Sequence, residues 1–237
     1  MFQTDPFSLI ILFVGLSLLP FVAMVATSYL KIVVVMSLIR NALGIQSIPP
    51  NMVINALAMI LTFYIMAPAA SESWSIVKAS AAERARVQSA QTPNEAPQTP
   101  GRAYATLGFD AVDFDKAAEP FRDFLSKRTS DRERLFFVRT AEQLWGKDGE
   151  PAKVDKDSFF ILLPAFCVSE LTKAFQIGFL VYLPFIAIDI IVSNILLAMG
   201  MMMVSPVTIS LPFKLLLFVL VDGWTLLIQG LVRGYML

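Results

Sequence analysis

The sequence predicts an all-α, membrane-type protein. It should hold about four long helices in two apolar helical hairpins, the third helix kinked, with a small helical module inserted between them outside the cytoplasm. Three observations carry this. Hydrophobic residues make up 56% of the 237, against the roughly 45–50% usual for soluble domains, and the mean hydropathy is +0.66. Charge is segregated: of 19 basic and 19 acidic residues, only Asp5, Lys31, Arg40, Glu170, Lys173, Asp189, Lys214, Asp222 and Arg233 lie outside Glu72 to Asp157. Each flanking block holds uncharged runs of about the 20 residues that cross hydrocarbon.

Residues 1–71 read as the first hairpin. The uncharged run from Phe7 to Leu30 is a membrane-type helix, kinked at Pro20 and continuing through "KIVVVMSLIR" to Arg40. A cleavable signal peptide is the rival reading, but Asp5 is the only charge before the run and a basic leader is missing. "NALGIQSIPPN" has the Gly, Pro-Pro and Asn of a turn between antiparallel helices, and Met52 to Ala70 is apolar again. Lys31 and Arg40 flank the turn with no acid between, which places the turn in the cytoplasm and the polar module in the periplasm.

That module, 72–157, opens with a stretch expected to be flexible over 72–103, rich in Pro and polar residues toward "TPNEAPQTPGR". Amphipathic helices follow at about 110–146. In "EPFRDFLSKR", Phe121, Phe124, Leu125 and Arg128 recur at helical spacing. In "SDRERLFFVRTAEQLWG", Ser130 and Glu133 form a capping box, Phe137, Ala141 and Leu144 line one face, and Gly146 offers a stop. Such helices need a partner surface, because about 85 residues, half of them linker, build little core.

Residues 158–237 form the second apolar block. From Ser158 to Val204 the only charges are Glu170, Lys173 and Asp189. As one helix kinked at Pro184, this stretch would run about 65–70 Å, more than twice a bilayer core. Two readings are open: three spans with a break near Pro184, or one long bent helix with a return helix from Pro212 to Met236. Under both, Glu170, Lys173, Asp189, Lys214 and Asp222 need shelter, since each costs roughly 2.5–3.5 kcal/mol in hydrocarbon even on insertion scales. So few helices offer little interior, which predicts an oligomer.

Histidine is absent, which removes His-ligated metals, Ser-His-Asp triads and imidazole relays. Cys167 is the single cysteine, so no internal disulfide or CxxC site forms. Net charge is zero without a basic stripe, so no nucleic-acid partner is expected. No cofactor or metal is implied, and no phosphate-binding loop supplies energy. Asp189 and Asp222 admit two alternatives, an intramembrane aspartyl protease and a proton-coupled transporter. The first lacks a GxGD-type motif around "AIDII" and "VDGW", and the second lacks visible inverted repeats. "GLVRG", Gly230 to Gly234, has small residues at helix-packing spacing, interrupted by Arg233.

"AMGMMMVSP", Ala198 to Pro206, concentrates Met199, Met201, Met202 and Met203. Consecutive helical residues point about 100° apart, so three methionines in a row cannot share one packing face. Gly200 and Pro206 favour a loop over 199–206, presenting thioether chains that re-pack around variable shapes. Core filler at a helix end and a Cu(I) site are the competing readings.

At this point the residues resemble a known family. "LPAFCVSELTKAFQIGFLVYLPFIAIDIIVSNILLAMGMMMVSPVTISLPFKLLLFVLVDGW", Leu163 to Trp224, and "TSYLKIVVVMSLIRNALGIQSIPPNMVINALAMILTFYIMAP" are similar to the SctR/FliP family of type III secretion export-gate membrane proteins. The polar module resembles it from "EPFRDFLSKRT" onward. The resemblance implies a non-enzymatic, pore-forming subunit, in five copies, that passes unfolded secreted polypeptides across the bacterial inner membrane. Its implied partners are SctS/FliQ-like, SctT/FliR-like and SctU/FlhB-like subunits, with the complex largely at periplasmic level. It implies a gasket of Met199, Met201, Met202 and Met203 around the export path. It further implies that Glu170, besides its i,i+3 neighbour Lys173, bonds Lys214 between subunits. The chain begins almost directly with its first helix, which within the family points to the injectisome branch rather than the flagellar one.

Overall fold

A computed structural model describes residues 6–45, 48–90, 114–146, 152–201 and 203–236. Among them lie eight helices: α1 (Pro6–Val25), α2 (Tyr29–Ala42), α3 (Asn51–Ala90), α4 (Phe114–Arg128), α5 (Asp131–Trp145), α6 (Phe159–Ala198), α7 (Pro206–Leu220) and α8 (Gly223–Arg233). The described secondary structure is all helix, as composition and patterning predict. The chain forms two compact units, Met1–Ala26 with Met66–Phe166, and Thr27–Ile65 with Cys167–Leu237.

In the second unit α2 is the central element. Its buried residues, Lys31, Ile32, Val35, Met36, Ile39 and Ala42, face more than one neighbour. Against them pack Ile54 and Ala58 of α3, Ala174 and Phe185 of α6, Phe218 of α7, and Leu227 and Leu231 of α8. Leu38 of α2 meets α6 at Gly178, where an added Cβ would lie 2.3 Å from Leu38 Cδ1 and 3.2 Å from Leu38 Cβ. The glycine therefore sets how closely these two helices approach.

The first unit holds the polar module. Leu125 of α4 packs on Leu162 and Phe166, and Val138 and Ala141 of α5 pack on Ile161. Arg134 joins the pieces: its Nη2 donates to the Ser126 carbonyl at 2.6 Å and to Ser126 Oγ at 2.9 Å, while Nη1 lies 3.4 Å from Asp157. Ser130 takes the N-cap of α5 with extended backbone, but its side chain makes no capping bond. Leu144, expected beside Ala141, is 74% exposed. The core partners Ile161 and Val154 meet Val138, Ala141 and Phe137, and none of that cluster covers the last turn.

Several element boundaries differ from the sequence expectation. The helix expected from Phe7 to Arg40 is interrupted at 26–28. The break near Pro184 does not occur; like Pro20, through which the first helix was expected to continue, Pro184 sits inside an unbroken helix, because a proline removes one N–H bond while the ladder on either side persists. Helix α3 runs on to Ala90, so 72–90 is helix where linker was expected; 91–103 lie outside the described residues. Of the two readings for the C-terminal block, α6 is a single helix of 40 residues, about 60 Å long. The return helix divides into α7 and α8, bent by 59°. Asp222, at the bend, has φ +54° in the left-handed region that Asp tolerates better than most residues.

By length and composition Asn51–Ala82 and Phe159–Ala198 can each cross a membrane; α1–α2 and α7–α8 do so only if each pair counts as one span. Only 11% of the most apolar window of α6 is buried within the chain.

Replacing Gly178 by Ala should lower stability by about 1–2 kcal/mol, since the methyl group must displace Leu38. Adding Leu38→Ala should recover part of the specific clash, giving a non-additive double-mutant cycle in thermal unfolding of the detergent-solubilised protein.

Candidate functional site

The long apolar helices place most of their charges inside the second unit, in two clusters. The first centres on Glu170, wholly buried on α6. Its carboxylate lies 3.0 Å from Lys31 Nζ of α2 and 3.1 Å from Lys173 Nζ one turn along α6, and it accepts a short hydrogen bond from the Tyr235 hydroxyl. Lys31 Nζ also sits 3.5 Å from the centroid of the Tyr235 ring, a cation–π contact that gains strength where water is excluded. One acid thus holds α2, α6 and the chain segment after α8 together. The Oγ of Ser28, also wholly buried here, has no hydrogen-bond partner among the described residues.

The second cluster centres on Lys214 of α7, 3% exposed. Its Nζ lies 2.6 Å from Asp189 of α6 and donates to the Ala42 carbonyl, at the end of α2, at 3.2 Å. Ser210, one turn before Lys214, donates to the other Asp189 oxygen. The carbonyl of Ala42 lacks an intrahelical donor because α2 ends there, and Lys214 supplies one.

Within the chain, then, Glu170 and Lys214 do not pair with each other. Each is saturated by other groups: Glu170 by Lys31, Lys173 and Tyr235, and Lys214 by Asp189 and the Ala42 carbonyl. A bridge between them requires both clusters to open. Asp189 and Asp222 have unlike surroundings, the first held by Lys214 and Ser210, the second exposed in the α7–α8 bend. That arrangement does not offer the shared proton of a protease dyad. The cations used for orientation are also engaged internally. Lys31 faces Glu170, and Arg40 Nη1 donates to the Pro49 carbonyl at 3.3 Å and to the Asn51 side chain. Sequence reasoning missed Lys31, Tyr235 and Ser210 as partners. The cost of a lysine in an apolar run was a signal for Lys31; nothing in the sequence singled out Tyr235.

The methionine stretch follows α6 as a turn. Met201 N–H donates to the Leu196 carbonyl and Gly200 N–H to the Leu197 carbonyl, both at 3.0 Å, with Gly200 at φ +74°. This is a Schellman motif, whose C′ position needs the left-handed backbone that glycine supplies without steric cost. Met199, Met201 and Met203 are 67%, 42% and 101% exposed, so they do not fill a core within the chain. Met202 lies outside the described residues. Ser205 then takes the N-cap position of α7, without a side-chain capping bond, and Pro206 lies in the first turn.

Residues 12–231 match the model of the FliP family. The chain belongs to the FliP family. Among curated relatives of this FliP-family chain, the Yop proteins translocation protein R of Yersinia pestis is 49% identical over 231 residues, 98% of this chain and 97% of the relative. The hypersensitivity response secretion protein HrcR of Ralstonia nicotianae is 48% identical, covering 96% of both chains. The surface presentation of antigens protein SpaP of Salmonella typhi is 39% identical, covering 97% of this chain and 96% of its own. The names of these relatives describe secretion, translocation and surface presentation.

Glu170→Ala, which removes the carboxylate facing the buried Lys31 ammonium, should cost about 3–5 kcal/mol, and Tyr235→Phe about 1–3 kcal/mol, both read by denaturant unfolding in detergent. Exchanging charges as Lys31→Glu with Glu170→Lys should restore part of that loss in the isolated chain. Exchange as Lys214→Glu with Glu170→Lys should restore none of it.

Proposed function

We propose that this chain is the pore-building subunit of a type III secretion export gate of the injectisome kind. Copies of it, five by the family resemblance, assemble with SctS/FliQ-like and SctT/FliR-like subunits beside a SctU/FlhB-like one. The assembly conducts unfolded polypeptides across the bacterial inner membrane, with residues 72–157 on the periplasmic side. The chain acts as a structural conduit and not as an enzyme.

The observation that carries this reading is the turn after α6. Two backbone hydrogen bonds close it at Gly200, while Met199, Met201 and Met203 are exposed within the chain. Flexible, polarizable chains on a fixed backbone turn suit a seal that must yield to passing polypeptides of varied shape.

The surface of α6 supports assembly. Gln176, Leu180, Leu183, Ala187, Ile190 and Asn194 are all exposed on one side of the helix. Gln176 and Asn194 are 18 residues, or five turns, apart and so project in the same direction. Carboxamides are costly in hydrocarbon without partners, so this face fits protein or water better than lipid. Large exposed apolar surface on such a chain calls for neighbours. An intersubunit Glu170–Lys214 bridge enters this reading only as a partner exchange on assembly, in which both intrachain clusters open.

Replacing Met199, Met201, Met202 and Met203 by alanine should leave assembly intact and raise small-molecule leak across the inner membrane several-fold during secretion. Leak and export both unchanged from the parent would remove the sealing role. Native mass spectrometry of the protein co-expressed with its companion subunits should give five copies per complex; a monomer that still supports secretion would overturn the reading.

A further inference from the structure

A glycine in the second unit has either of two physical reasons to be there: close packing against a neighbour, or a left-handed backbone. Gly178 and Gly223 serve the first. A Cβ added at either would lie 2.3 Å from a side-chain atom, of Leu38 at the one and of the Phe218 ring at the other. Gly200 is of the other kind. An added Cβ there meets nothing within 4 Å among the described residues, yet the backbone has φ +74°. That conformation disfavours a residue with a side chain about 5- to 30-fold relative to glycine.

Nothing else in the sequence ends α6 at this point. The following "MMMVS" has no glycine or proline, and methionine is among the better helix formers. The next breaker is Pro206, which disfavours helix at the residue before it. Without Gly200 the helix could run on over 199–204, about 9 Å further, and the methionines would wind around it in steps of about 100°. The far side of the turn cannot follow such a rise. Helix α7 is tied to α6 through Ser210 and Lys214 on Asp189, and to the end of α2 through Lys214 on the Ala42 carbonyl. Residues 199–205 must therefore join two fixed helix ends, Ala198 and Pro206. The left-handed step at Gly200 decides in which direction they leave α6. Met199 and Met203 emerge exposed, and Met201, whose N–H returns to the Leu196 carbonyl, is the least exposed of the three.

We infer that Gly200 is the positioning residue of the seal: its left-handed backbone, and no contact of its own, sets how Met199, Met201 and Met203 are presented. The inference rests on the sealing role proposed for the methionines and names the residue that gives that seal its direction. What position 200 requires is a conformation. Asparagine, which tolerates left-handed backbone and replaces glycine at helix ends, serves there. Alanine does so poorly, and a β-branched valine worst.

The test places Gly200→Asn, Gly200→Ala and Gly200→Val in the full-length protein, in cells carrying the rest of the secretion apparatus. Small-molecule leak across the inner membrane is measured during secretion, and assembled complex is quantified in parallel on native gels. At the parental amount of complex, leak should stay near the parental level for Gly200→Asn, rise several-fold for Gly200→Ala and rise further for Gly200→Val. Adding Gly200→Ala to the variant with all four methionines replaced by alanine should raise leak no further, since there is then nothing left to aim. An additive increase would assign the leak to general loosening and overturn the inference. Equal leak from the Asn and Val variants would overturn it too, because the requirement would then be for a missing side chain. Loss of complex in the Ala and Val variants alone would make Gly200 a folding requirement and not a positioning residue. The four-methionine variant separates the two claims. If it leaks while fully assembled Gly200→Ala and Gly200→Val do not, the positioning role fails and the seal stands; if it does not leak, both fail.

Discussion

The buried carboxylate of Glu170 is the constraint on which the second unit depends. It draws Lys31 of α2, Lys173 of α6 and the Tyr235 hydroxyl to one point. Around it the helices are apolar on nearly every side, so hydrophobic burial alone discriminates poorly between one rotation or slide of α2 and another. A lysine and a glutamate in that setting have few tolerable alternatives, because an unpaired buried charge costs several kcal/mol. Their pairing therefore sets the register of α2 against α6. The Lys214–Asp189 cluster does the same at the other end of α2 by seizing the carbonyl of Ala42. Burial of such pairs is weak evidence for net stability but a credible source of uniqueness.

With the register set, much apolar surface remains uncovered within the single chain. The core around α2 is small, and α6 leaves Phe175, Phe179, Leu180, Ile190 and Ile195 exposed. A soluble monomer would not tolerate this, whereas a membrane or a ring of like subunits supplies the cover. A helix of about 60 Å exceeds a hydrocarbon core of about 30 Å, so part of α6 must meet protein or water. The exposed Gln176 and Asn194 fit that requirement, and the Schellman turn at Gly200 delivers the methionines at the end of the same helix.

The sequence by itself determined the helical, membrane-type character, the end of a helix at Gly200, and the need to shelter Glu170, Asp189 and Lys214. These follow from composition, from the 100° step of the helix, and from the energy of charge in an apolar setting, all of which are local. The tertiary structure alone decided which charges pair. Lys31 and Tyr235 come to Glu170 from 139 and 65 positions away in the chain, and Ser210 to Asp189 from 21, and no local pattern encodes such meetings. It decided equally that α6 runs unbroken through Pro184 while the helix leading to Arg40 is interrupted at 26–28. A proline removes only one hydrogen bond, and the packing on both sides of it settles whether the helix survives.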